Sequence, residues 1–155
     1  MSETGEQPGS DEIVIRAIAG RQDFERSLDL LALFFDGQKP DIALLKQGFE
    51  QACAYNYNQF IAESGDTLVG TVSIKPIYDP LEPGLVYEIN HLIVKPEFRR
   101  MGIGSALLEK CHSYARGNQA IGVRLLSYSN DEKAQAFYSE KGYRDVCHVM
   151  IKPLQ

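Results

Sequence analysis

Two arginines and two spaced glycines, Arg99-Arg100-Met101-Gly102-Ile103-Gly104, stand between an apolar run and a helical stripe. The run from Leu85 to Val94, rich in β-branched and aromatic residues, reads as a mostly buried strand, and Ile103, Ala106, Leu107, Cys111 and Tyr114 recur at helical spacing beyond it. A strand therefore feeds a helix through Arg99 to Gly104. The first-turn N–H groups of a helix have no intrahelical partner and carry the positive end of its dipole, so a bound anion satisfies them. Glycine lets an oxygen approach the backbone, and arginine adds charge and forked donors. The pattern predicts a cradle for adjacent phosphates, although a tight turn with two solvated arginines fits the same residues. There is no Gly-x-x-x-x-Gly-Lys-[Ser/Thr], and Leu107 stands where a dinucleotide fingerprint would have its third glycine, which argues against a nicotinamide enzyme.

The segment Val94-x-Pro-x-Phe-Arg-Arg-x-Gly-Ile-Gly-Ser-x-Leu-Leu108 resembles the acyl-CoA-binding motif of the GNAT superfamily of N-acetyltransferases. Downstream, Ala134-Gln-Ala-Phe-Tyr-Ser-Glu-Lys-Gly-Tyr143 resembles that family's Ala-x-x-Phe-Tyr-x-x-x-Gly-[Phe/Tyr] segment. The likeness runs from about Ile13 to the C-terminus and is strongest from Leu85 to Tyr143. It implies acetyl-CoA as co-substrate, held at its pyrophosphate by Arg99, Arg100, Met101, Gly102, Ile103, Gly104 and Ser105. It also implies that the cradle strand splays from its neighbour, so that main-chain groups of Leu92, Ile93 and Val94 meet the pantetheine arm.

Acyl transfer to an amine meets two protonation problems. An alkylamine with a pKa near ~10.4 is mostly cationic, so a carboxylate or an ordered water must take its proton. Glu88 stands eleven residues before Arg99, where several members of the resembled family carry a catalytic glutamate, and its neighbours Tyr87 and Ile89 would raise its pKa by desolvation. The bland reading is a strand-edge carboxylate. The departing thiolate leaves more easily when protonated, and Tyr138 occupies the family's tyrosine position, with packing beside Phe137 as the alternative. Family members often carry asparagine seven residues before that tyrosine, whereas this chain has Asp131 there and Asn130 one residue earlier. Either Asn130 reaches the cofactor or Asp131 caps the helix.

Around this site the pattern predicts strands at Ile13–Ile18, Gln59–Glu63, Thr67–Ile77, Leu85–Val94, Ile121–Ser127 and Tyr143–Ile151. It predicts helices at Asp23–Phe35 and Asp41–Tyr55, one after the cradle, and one at Asp131–Glu140 with Gly142 as its C-terminal cap. The fold class is α/β, and the resemblance implies a mixed, mostly antiparallel central sheet of about six to seven strands flanked by about four helices.

The 155 residues, 44% hydrophobic, suit one domain over residues 12–155 after a polar tail over residues 1–11 that does not read as a secretory leader. No apolar run is long enough to span a membrane, and three scattered cysteines, Cys53, Cys111 and Cys147, suggest a reduced, cytoplasmic setting. Cys111 and Cys147 read as small core residues, and the three histidines show no metal-ligand spacing. A net charge of −5 argues against nucleic acid as partner. Asp79, Glu82 and Glu88 would suit a cationic amine, and Phe49, Tyr55, Tyr57 and Tyr78 would suit an apolar acceptor site or the core. The expected activity is acetyl transfer to a primary amine of a small molecule or peptide, the alternative being a non-catalytic acyl-CoA sensor. Exposed strand edges allow a homodimer.

Overall fold

A computed structural model of the chain describes residues 12–35, 41–81 and 83–154, so the expected tail at Met1–Asp11 and the acidic Glu82 lie outside the described residues. The chain divides into two compact units, one ending at Leu125 and the other beginning at Leu126.

The first unit is a sheet with helices on both faces. Strands β1 (Ile13–Ala17), β2 (Asn58–Ser64), β3 (Thr67–Ile77), β4 (Val86–Val94) and β5 (Gly122–Leu125) lie side by side in chain order. The first three neighbouring pairs are antiparallel and β4 with β5 is parallel, which makes the sheet mixed as expected. Helix α1 (Arg21–Leu31) continues into a 3₁₀ turn at Ala32–Phe35, α2 is Ile42–Cys53, and α3 is Ile103–Gly117. Residues Leu68 to Ile74 of β3 are buried without interruption, because helices cover both of its faces. Gly70 faces α3, where an added Cβ would lie 3.1 Å from Leu107 Cδ1 and 3.1 Å from the Ile93 carbonyl oxygen, so the helix packs low on the sheet there. Thr71 faces the other way. Gln59 donates to its hydroxyl at 2.8 Å and to the Ser27 hydroxyl of α1 at 2.9 Å, a buried polar chain that no local pattern announces.

Each helix is placed by a particular contact. The α3 stripe of Ile103, Leu107, Leu108, Cys111 and Ala115 is fully buried, whereas Ala106 of the expected stripe is exposed. Asp41 caps α2 by accepting from Ala43 N at 2.9 Å and Leu44 N at 3.2 Å. Phe49 of α2 stacks on Phe24 of α1 with centroids 4.1 Å apart, and Tyr57 meets Phe49 edge-on, so these two expected lining aromatics belong to the core. The start of α1 is fastened by charge. Asp23 accepts from Ala19 N at 2.8 Å and from Arg26 Nη1 at 3.0 Å, and it pairs with Arg16 of β1, whose Nε reaches Glu63 of β2 at 2.8 Å.

In the second unit, α4 (Glu132–Glu140) is capped at both ends. Asp131 accepts from Ala134 N at 3.0 Å, the second of the two roles foreseen for it. Gly142, at φ 88°, closes the helix as expected, with Gly142 N donating to Ser139 O and Tyr143 N to Tyr138 O, both at 3.0 Å. The expected strand at Tyr143–Ile151 is absent, and among the described residues the sheet has five strands where six to seven were predicted. Val146, Met150 and Ile151 are more than four-fifths exposed, and a run of β-formers becomes a strand only when a ladder partner takes up its backbone groups.

The Arg16 pair, opposed by burial and aided by the Ala19 amide and Arg26, holds the Asp23 carboxyl well below the usual carboxylate range. A depressed pKa contributes stability that is complete above the unfolded value, near ~3.9, and is lost as pH falls through the folded one. Asp23→Asn is expected to cost about 2 kcal/mol at pH 7 in urea unfolding and to flatten the loss of stability below about pH 4.

Candidate active site

The strand that leads into the cradle is irregular where it matters. Ser73 of β3 pairs with Asn90 and Thr71 pairs with Ile93, so His91 and Leu92 together oppose Val72 alone. This β-bulge puts His91 in a left-handed conformation, φ 52°, which is uncommon for a residue with a Cβ. On the other side of β4 the ladder with β5 runs from Val86–Gly122 to Ile89–Leu125 and ends there. Past Asn90, β4 remains paired with β3 as far as Val94. The Val94 carbonyl in this stretch already accepts from Arg99 Nε at 3.0 Å.

Beyond β4 the chain makes a 3₁₀ turn at Pro96–Phe98 and passes through two left-handed residues, Arg100 at φ 62° and Gly102 at φ 80°. Helix α3 starts directly after them, with Ala106 N donating to Gly102 O at 3.0 Å and no side-chain cap on its first turn. The N–H groups of Ile103, Gly104 and Ser105 precede that first bond and have no intrahelical acceptor. An added Cβ at Gly102 would meet nothing within 4 Å, so glycine is required there by conformation and not by space. Arg99, Arg100 and Met101 are exposed around this opening. Of the residues foreseen for cofactor binding, the structure brings together Leu92 to Val94 and Arg99 to Ser105.

Glu88 sits three residues before the bulge and is 5% exposed. The register sets Lys75 of β3 and Arg124 of β5 directly on either side of it, a row of three charges across three strands. Arg124 Nε donates to Oε2 at 3.0 Å, Asn90 Nδ2 to Oε1 at 3.2 Å, and Lys75 Nζ lies 3.2 Å from Oε1. Burial pushes the carboxyl up as predicted, but the bonds from Asn90, Lys75 and Arg124 outweigh it and hold the group below its ordinary value. The predicted rise is thus corrected to a fall, because the sheet supplies two cations that the local sequence does not show.

Two residues beyond Glu88, the Ser73 hydroxyl donates to Asn90 O at 3.1 Å and lies 3.2 Å from His91 Nδ1. The His91 ring meets Phe34 edge-on at 5.6 Å. None of Lys75, Arg124, Ser73 and His91 was singled out from sequence. The only local signal is the polar pair Asn90-His91 interrupting an apolar strand.

Other expected residues lie elsewhere. Tyr55 and Tyr78 are exposed, and Tyr78 Oη accepts from Asn56 Nδ2 at 2.8 Å. Asp79 is exposed and caps the turn by accepting from Leu81 N at 2.9 Å. Cys111 is a buried core thiol pushed up to about 12 by burial, whereas Cys147 is exposed, contrary to expectation. Within the second unit, Tyr138 is half-buried between Phe137 and Tyr143, with ring centroids 5.4 and 5.8 Å away, and burial, with the Asp131 charge second, pushes its phenol up. Asn130 is exposed in the turn before α4. Among the described residues no helix is long and apolar enough to cross a membrane.

The model of the acetyltransferase (GNAT) family matches residues 21–143. The chain belongs to that family. It is 31% identical over 139 residues to the N-alpha-acetyltransferase RimI of Mycobacterium tuberculosis, covering 88% of this chain and 82% of that one. It is also 31% identical over 125 residues to an uncharacterized protein of Mycobacterium leprae, ML0378, covering 80% of this chain and 33% of the relative, so it spans about a third of that protein's length. A putative acetyltransferase from Agrobacterium tumefaciens shares the fold at a TM-score of 0.79 and 19% identity, covering 90% of this chain and 99% of that one.

Gly102→Ala is expected to destabilise the protein by about 1 kcal/mol in urea unfolding, because φ 80° brings Cβ against the following carbonyl. Gly48→Ala, inside α2 with open space around it, is expected to stabilise by about 0.5 to 1 kcal/mol.

Proposed function

We propose that the protein transfers the acetyl group of acetyl-CoA directly to a primary amine of a small molecule or peptide, without a covalent enzyme intermediate. The observation that carries this reading is the adjacency, on one continuous stretch of chain, of a buried ionised carboxylate, a bulged strand edge beyond the end of its neighbour, and an uncapped helix start. The uncapped amides of Ile103 to Ser105, with Arg99 and Arg100, would hold the pyrophosphate. Main-chain groups of Leu92 and Ile93 would take the amide arm of pantetheine. For Asn130, contact with the cofactor rests on the motif alone.

Glu88 is the proposed base. Its lowered pKa makes it a weak one, fully ionised at neutral pH. Lys75 and Arg124 beside it would also lower the pKa of an ammonium brought to the same place, since like charges disfavour its charged form. A lower ammonium pKa leaves more of the amine in its neutral, nucleophilic form at pH 7. Tyr138 is the proposed acid for the thiolate. Its raised pKa keeps the phenol protonated throughout the neutral range.

The assay is thiol release from acetyl-CoA across a panel of amines, amino acids, polyamines, aminoglycosides and N-terminal peptides, with acetyl-CoA calorimetry on the same preparation. Turnover of any amine supports the reading, while tight cofactor binding without turnover points to a sensor. Gly104→Glu is expected to abolish acetyl-CoA binding, and retained affinity would displace the cradle. Tyr138→Phe and Glu88→Gln are each expected to lower kcat by about 100-fold or more with acetyl-CoA affinity unchanged. Wild-type kinetics in both would remove these roles.

A further inference from the structure

An ammonium loses two protons on becoming an amide nitrogen, one before its lone pair is available and one after the nitrogen has bonded to the acetyl carbon. Glu88 accounts for the first. A second acceptor on the same side of the sheet, close to the strand edge, would take the other.

His91 meets those conditions. Its Nδ1 is bound to Ser73, which faces the same side as its neighbour in alternation Lys75, the residue paired with Glu88. Because the Ser73 hydroxyl proton is committed to the Asn90 carbonyl, the serine oxygen offers a lone pair to Nδ1, and the imidazole carries its proton there. The lone pair is then on Nε2, which has no hydrogen-bond partner among the described residues. Phe34 of the 3₁₀ turn after α1 meets the ring edge-on, and His91 is exposed. The charged groups in the row beside it are Lys75 of β3, Glu88 of β4 and Arg124 of β5, and farther along the same face Arg16 of β1 pairs with Asp23 of α1 and Glu63 of β2, which also hold Arg26. Tyr57, before β2, is the further titratable group, and its hydroxyl donates to Gln59 Oε1 at 3.3 Å. The turn at Phe34 presents no charge. Burial first, and Lys75 second, push the imidazole below its ordinary value, so it is neutral and able to accept at pH 7.

We propose that His91 Nε2 is the second proton acceptor of the transfer, an inference that rests on the acetyltransferase reading above. The ammonium gives its first proton to Glu88. Its lone pair then forms the C–N bond while the carbonyl π pair moves to oxygen. His91 Nε2 takes the second proton from the now cationic nitrogen. The oxygen pair returns, the C–S bond breaks, and sulfur leaves with its electron pair to be protonated by the acid or by water. Glu88 and His91 release their protons to solvent, so the cycle yields one amide, one thiol and one proton. The early loss of the second proton matters because an unneutralised adduct would expel the amine in preference to the thiolate.

His91→Asn tests this. Asparagine tolerates the left-handed backbone and keeps an N–H toward Ser73, but it removes Nε2. With an amine turned over by the wild type, the variant is expected to keep acetyl-CoA affinity in calorimetry and to lose about 100-fold or more in kcat. It should also lose the acid limb of the kcat/KM profile that lies below about pH 6.5, where the imidazole protonates. Ser73→Ala, which releases the tautomer, is expected to shift that limb and leave it present. Wild-type kcat with an unchanged limb in His91→Asn would overturn the assignment, as would a loss explained wholly by weaker acetyl-CoA binding. Absence of turnover by the wild type would instead sink the parent reading, and this inference with it, before any variant is compared.

Discussion

Strand β4 is an interior strand over its first half and changes its pairing on both sides within a few residues, and the rest of the first unit is arranged around that change. A regular strand would bury every backbone group in ladders. Here the parallel ladder with β5 ends at Ile89–Leu125 and the antiparallel ladder with β3 slips by one residue immediately afterwards. The slip keeps β4 attached to β3 through Thr71–Ile93 and Gly70–Val94, so the edge stays straight enough to lead into α3. Gly70 makes this attachment tight, since any Cβ there would press on Ile93 O and on Leu107 of the helix that follows.

The two faces of the sheet divide the physical work. The α3 face is dry, with Phe60, Tyr87 and Tyr114 meeting edge-on and Cys111 sealed among leucines. The α1 face is polar even where it is buried, from Ser27, Gln59 and Thr71 through Ser73 to Asn90 and Glu88. Every one of those groups has a partner, and no buried side-chain polar atom among the described residues lacks one. A satisfied polar layer resists rearrangement because each member, once displaced, leaves another unpaired. Rigid polar placement on one face and dense apolar packing on the other suit a site in which protons move and atoms do not.

Much of this was legible along the chain because the signals are local. Gly142 marks the left-handed position that closes a helix, Asp131 offers a cap, and the β3 run had its boundaries at Thr67 and Ile77 in the pattern itself. What escaped depends on register. Whether Glu88 faces cations is decided by which residues of β3 and β5 lie opposite, thirteen and thirty-six positions away in the chain, and nothing beside Glu88 records it. The bulge at His91 is likewise a property of two strands counted against each other. Tyr143–Ile151 fails in the opposite direction, where strong local propensity met no ladder partner.

The first turn of α3 is left without a side-chain cap, so an anion bound there as proposed would add to the stability of that helix. Helix start and ligand occupancy then form one equilibrium. With the pyrophosphate bound there as proposed, the amides of Ile103 to Ser105 would be protected from exchange with water. The unfolding temperature of such a protein rises with the logarithm of donor concentration, so its persistence in a cell would follow the supply of the donor as much as its own sequence.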